Sequence, residues 1–151
     1  TLDDRYNTPH RFTVQVNYPN DVLMEITSEG RNGILVEGTK GRIFVNRGTI
    51  AGKPIEELDN NPLPGGWLQD MYGGPVVEHV NNFFDCIASR KKPASDVLTH
   101  VASINTCHLS NIAIRLNRQL QWDAITQTIK DDAVANAMLK RDFRKGYEIE
   151  L

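Results

Sequence analysis

The chain is short of the features that usually announce a function. It has 2 cysteines in 151 residues, Cys86 and Cys107, with no C-x-x-C and no Cys/His ligand spacing. Neither a disulfide scaffold nor a zinc site is indicated, and both thiols are expected to be buried. No apolar run approaches the roughly 20 residues of a membrane-spanning helix. An excess of one charge is also missing: 17 basic and 19 acidic residues interleave to a formal charge of -2. No basic field is therefore expected to hold a nucleic acid backbone, and nucleic acid and membrane are both excluded as partners. The start, TLDDRYNTPH, resembles no signal peptide and lacks an initiator Met, as expected of an excised piece or of a processed protein. The cytoplasm is the default compartment, with export open if a longer chain carries a signal.

Catalytic strings are absent too. There is no H-E-x-x-H, no G-x-S-x-G and no G-x-G-x-x-G, so the sequence offers no metalloprotease helix, no nucleophile elbow and no dinucleotide fingerprint. Six glycines do fall between Gly30 and Pro54, but in a β-rich run that reads as hairpin punctuation. The segment Gly48 to Pro54, GTIAGKP, is one residue too short for a P-loop and ends in proline where a magnesium-binding hydroxyl is required.

What is present is patterned. A length of 151 residues suits one domain, 1–151, able to bury roughly 68–70% of the surface its unfolded chain exposes. Phe12, Val14, Val16 and Tyr18 alternate with Thr13, Gln15 and Asn17, which predicts a half-buried strand. Tyr18 to Asp21 reads as a turn leading into a second strand from Val22 to Ser28. Gly33 to Gly38 and Gly41 to Asn46 form a hairpin around Thr39 and Lys40, giving an antiparallel meander of four or more strands. Glu25, Thr27, Glu37 and Arg47 join Thr13, Gln15 and Asn17 on its polar face, which meets solvent, a partner subunit or a polar ligand.

Residues 59–74 lack periodicity and read as a long loop carrying Trp67, Leu68, Met71 and Tyr72, anchors onto the domain's own core or onto something beyond it. A helix with Pro75 in its first turn shows Val76, Val80, Phe83, Phe84 and Ile87 on one face and ends at Arg90 to Pro93. A second helix, capped by Ser95 or Asp96 and running to about Asn117, is apolar over most of its circumference and is expected to lie deep. Residues 119–123 form a short strand, residues 131–141 a helix capped by Asp131, and residues 144–147 an extended tail. Strands first and helices second argue α+β, with helices covering one face of an open, mainly antiparallel sheet and no Rossmann domain.

Chemistry-bearing groups are sparse. Asp96 and His100 share a helix face as a carboxylate and imidazole can, but as a dyad this is weak, since an N-cap followed by a first-turn His arises readily by chance. His108, Asn111 and Arg115 form a polar stripe on the apolar helix. Unpaired burial would cost roughly 1–3 kcal/mol each, so they need a core network, a wet crevice or another chain. Arg31, Asn32, Arg42 and Arg47 decorate the glycine-rich hairpins, where guanidinium groups grip a carboxylate or sugar hydroxyls unless they are merely solvated. His79 and His10 carry no pattern of their own.

The strings GRNGILVEGTKGRIFVNRG, GKPIEEL, HVNNFFDCIASRKKPASDVLTH, CHLSNIAIRLNRQLQWD and DDAVANAMLKRDFRKGYEI resemble the C-terminal domain of Gfo/Idh/MocA oxidoreductases, of the planctomycete-type branch in particular. The resemblance implies a two-domain parent that transfers hydride between NAD(P) and a sugar or sugar-like polyol. It further implies that this chain is the substrate-binding and oligomerisation domain, catalytically silent alone. NAD(P) is then expected in an N-terminal Rossmann domain, with no cofactor, metal or catalytic residue assigned here. The family's E-K-P lysine is not Lys53, which lacks the glutamate, and its D-x-x-x-H pair lies earlier than Asp96 and His100. Arg31, Asn32, Arg47, His108, Asn111 and Arg115 are the candidate substrate contacts. A sugar-like molecule, the chain's own Rossmann domain and further copies through the sheet are the expected partners. The alternative is a non-enzymatic sheet module for self-association or carbohydrate binding.

Overall fold

The computed structural model describes residues 8–75 and 77–149. These form an α+β fold of small antiparallel sheets and helices, organised as two compact units. One unit holds residues 8–29 and 98–149, the other residues 30–75 and 77–97.

In the first unit, β1 (Thr13–Tyr18) pairs antiparallel with β2 (Val22–Thr27). Val14 stands opposite Ile26 and Val16 opposite Met24, while Thr13 faces Thr27 and Gln15 faces Glu25. The period-two reading holds for these pairs, while Asn17 on the polar face stands opposite Leu23. Its turn places Asn20 and Asp21 at φ 63° and 58°, a left-handed conformation that short polar side chains tolerate. The Tyr18 hydroxyl lies 2.8 Å from Thr106 Oγ1 on α4 (Val97–Leu116).

The C-terminal half of α4 packs on a small knot. Ile112, Ile129 and Ala135 form its buried centre, ringed by Leu109, Leu116, Leu120, Trp122 and Met138. Trp122 and Ile129 are partners across the ladder of β6 (Trp122–Asp123) and β7 (Thr128–Ile129). Asp123 accepts the amides of Ile125 and Thr126 at 2.9 and 3.2 Å, which bends the chain back. Helix α5 (Ala133–Ala137) is capped by Asp132, whose side chain accepts from the Ala135 amide at 2.9 Å. The expected cap, Asp131, instead sits one residue upstream at φ 51°. The expected tail closes into a turn, with the Tyr147 amide donating to the Arg144 carbonyl at 2.9 Å.

In the second unit, β3 (Ile34–Gly38), β4 (Gly41–Val45) and β5 (Ile50–Ala51) make a three-stranded antiparallel sheet. The meander expected from sequence is thus divided into separate ladders, since Glu29 to Gly33 turn the chain rather than pair it. Glu37 and Arg42 are cross-strand partners, but they share their face with the Leu35 and Phe44 pair, and Arg47 lies beyond β4. The polar face does not extend through this sheet. After β5, Gly52 adopts φ 127°, ψ 161° at the entry to α1 (Lys53–Glu56). A Cβ at this glycine would collide with the Arg42 carbonyl.

The long loop carries a short helix, α2 (Trp67–Tyr72), whose Trp67 and Leu68 are exposed rather than anchored in the core. Helix α3 runs from His79 to Ser89, four residues after Pro75; Val76 lies outside the described residues. Arg90 closes it at φ 58°. The apolar face is the surprise: Val80, Phe83, Phe84 and Ile87 are all exposed, and the buried residue is Asn82, whose Oδ1 accepts from the Ala94 amide at 2.9 Å. Helix α4 begins directly after Asp96, as its cap reading requires, yet Val97, Leu98, Val101 and Ile104 are also exposed. Only its C-terminal half meets the knot, so broad apolarity does not mean depth here. Neither thiol is buried: Cys86 is half-buried and Cys107 exposed.

Candidate functional site

The polar stripe of α4 opens onto a concavity. His108, Asn111 and Arg115 line a cavity of about 470 Å³, together with Asn105 from the same helix and Lys140 and Arg141 from the segment after α5. Leu109, Ile112, Trp122 and Met138 supply its apolar floor. The helical spacing of three, four and seven residues aligns the polar groups over the turns that bury Ile112. Because His108, Asn111 and Arg115 are exposed, the stripe is a wet crevice and not a buried core network.

A second cavity of about 520 Å³ shares Arg115 and Met138 with the first and adds Pro9, His10, Arg11, Ile114 and Leu116. Sequence reasoning missed His10, Arg11, Lys140 and Arg141. The basic residues of LKRDFRK were the signal available, and only the fold of the Trp122 knot brings the first of them to a wall shared with α4.

The floor is fixed by electrostatics as well as packing. The guanidinium of Arg118 grips Asp132 through two bonds, Nε to Oδ2 at 2.9 Å and Nη2 to Oδ1 at 2.7 Å. The Ala135 amide and then Arg118 hold the Asp132 carboxyl below the usual carboxylate range. The amides of Thr126 and Ile125 do the same for Asp123. The Arg118 pair ties the exit of α4 to the cap of α5, and the Asp123 bonds close the turn between β6 and β7.

Arg31, Asn32 and Arg47 belong to the other unit. Arg31 stacks its guanidinium 4.3 Å from the Phe44 ring centroid, the Asn32 carbonyl accepts from Asn46 Nδ2 at 3.5 Å, and Arg47 is exposed on the bend after β4. Asp96 pairs with Lys92 at 3.1 Å, and His100 and His79 are exposed on their helices. Among the described residues no group of His, Cys, Asp and Glu is arranged to hold a metal, and no helix is long and apolar enough to cross a membrane.

The model of one protein family, described as "Oxidoreductase family, C-terminal alpha/beta domain", matches residues 3–149. The chain belongs to this oxidoreductase family. It is the Gfo/Idh/MocA C-terminal domain, as its strings suggested. No curated protein and no solved structure gives a match. Among the described residues, the α4 concavity gathers hydrogen-bonding groups over an apolar floor, a make-up small-molecule sites share.

Proposed function

We propose that this domain forms the substrate side of an NAD(P)-dependent oxidoreductase acting on a sugar-like polyol, and that it also carries the enzyme's self-association surface. The observation that carries the reading is the α4 concavity, where Asn105, His108, Asn111 and Arg115 present amide, imidazole and guanidinium groups above Trp122 and Met138. A polyol needs that combination: donors and acceptors for its hydroxyls, and an apolar surface for its C–H faces. Arg31, Asn32 and Arg47 are further candidates on the sheet of the other unit.

A nicotinamide dinucleotide does not fit the described residues. Its pyrophosphate needs bare glycines ahead of a substantial helix, whereas Gly52 leads into a helix of 4 residues and owes its missing Cβ to the Arg42 carbonyl. We assign binding of the dinucleotide to a separate nucleotide-binding domain of the same polypeptide, and catalytic residues to that side. The exposed apolar faces of α3 and of the first half of α4 support the self-association part.

The test is NAD(P)⁺-dependent turnover of a polyol panel by the full-length polypeptide. Arg115→Ala and Asn111→Ala should raise KM about tenfold or more and leave kcat much less affected. Unchanged KM in both variants, or no turnover with any polyol, contradicts the reading. Light scattering should show a dimer or larger, and a strict monomer at high concentration removes the assembly role.

A further inference from the structure

We propose that the two concavities sharing Arg115 bind the anionic group of a small substrate, a carboxylate or a phosphate. The proposal rests on the reading of α4 as the substrate side and adds the charge of what binds there.

The argument starts from charge imbalance. The chain as a whole is slightly acidic, with 19 acidic and 17 basic residues, yet His10, Arg11, His108, Arg115, Lys140 and Arg141 line these concavities, and among the described residues no carboxylate does. Four cations elsewhere sit beside acids, Arg42 with Glu37, Lys53 with Glu57, Lys92 with Asp96 and Arg118 with Asp132. Others, Arg47 and Lys91 among them, have no ion pair among the described residues, so what distinguishes the concavities is that their cations gather. Among the described residues no carboxylate pairs with Arg11, Arg115, Lys140 or Arg141. The contrast is sharpest along α4 and its exit, where Arg118 is neutralised by Asp132 and Arg115 is left to the cavity.

Gathering like charges costs self-repulsion, and that cost is relieved when an anion enters. A guanidinium fork matches a carboxylate or phosphate through two parallel bonds, and Ile112, Trp122 and Met138 offer an apolar floor to the carbon skeleton that carries the charge. A volume of about 470 Å³ fits one small molecule. Asn111 then remains for neutral hydroxyls, together with the Oδ1 of Asn105, whose Nδ2 donates to Gln127 Oε1 at 3.1 Å.

The experiment is an NMR amide-shift titration of the 151-residue chain at low salt with three probes: glucuronate, glucose 6-phosphate and glucose. At least one anionic sugar should shift amides along 105–116 and 138–141 saturably, with a dissociation constant roughly tenfold or more below that of glucose, and added salt should weaken it. Response to glucuronate alone identifies a sugar acid, and response to glucose 6-phosphate alone identifies a sugar phosphate. Arg115→Ala should weaken that binding about tenfold, with partial recovery in Arg115→Lys. The double variant Lys140→Ala/Arg141→Ala changes only exposed side chains and should weaken it about threefold or more. Glucose binding as tightly as both anions overturns the proposal, as do anion affinities unmoved by these variants or the absence of shifts in 105–116. Full-length enzyme that turns over only neutral polyols removes this proposal and leaves the functional reading standing. Anion binding without any NAD(P)-dependent turnover keeps this proposal and removes that reading.

Discussion

The side chain of Asn136 serves both backbone groups of Ile129. Its Oδ1 accepts from the Ile129 amide at 2.8 Å, and its Nδ2 donates to the Ile129 carbonyl and, at 2.8 Å, to the Asp132 carbonyl. One amide thus replaces the strand that would otherwise flank β7, and it lets the most enclosed isoleucine of the knot be buried without stranding its polar backbone.

Asn136→Ala should accordingly destabilise the domain by about 1–3 kcal/mol in urea unfolding, because two buried backbone groups lose their partner. Asn136→Asp keeps the acceptor but not the donor and should also lose stability. Wild-type midpoints for both variants would show that the bonds do not matter.

Asp132 sets an acid limit. The Ala135 amide and Arg118 favour its ionised form in the folded chain, so its folded pKa lies below its unfolded one. Its stabilisation is complete above the ordinary carboxylate range and fades as pH falls through the folded value. The difference in urea midpoint between wild type and Asp132→Asn should therefore be largest near neutrality and shrink toward pH 3. Asp131→Asn, at the position that tolerates φ 51° without capping α5, should leave the midpoint nearly unchanged.

Gly52→Ala should cost about 1–3 kcal/mol, since φ 127° with ψ 161° is open almost only to glycine and the added methyl meets the Arg42 carbonyl. Gly48→Ala, with open space around it, should lie within about 0.5 kcal/mol of wild type. Equal effects in thermal or urea unfolding would contradict the packing role of Gly52.

On α3 the expected order of importance is reversed. Asn82→Ala leaves the Ala94 amide without its acceptor and should destabilise by about 1–3 kcal/mol. Phe84→Ser, on the exposed face, should leave unfolding almost unchanged and reduce self-association measured by light scattering.

What the sequence made legible was whatever depends on local pattern. The alternation from Thr13 to Thr27, the Thr39 and Lys40 hairpin, the start of α4 after Asp96 and the end of α3 at Arg90 follow from period, turn chemistry and caps. Burial was not legible. Apolar stripes on α3 and α4 read as core, but a stripe records only that a helix has two faces; Asn82 is buried because it must satisfy Ala94. The α4 trio of His108, Asn111 and Arg115 was found because helical spacing alone aligns it. Lys140 and Arg141 were missed because their approach depends on the β6–β7 ladder, and that ladder depends on side-chain bonds from Asp123 and Asn136.

The central claim is that this domain offers groups for a substrate and leaves the nucleotide to another domain. The most direct measurement is calorimetric titration of the 151-residue chain with NADH and NADPH. The account predicts no saturable heat at micromolar concentrations of either. Micromolar binding abolished by Gly52→Ala would contradict it, because the residues around α1 would then be holding the coenzyme.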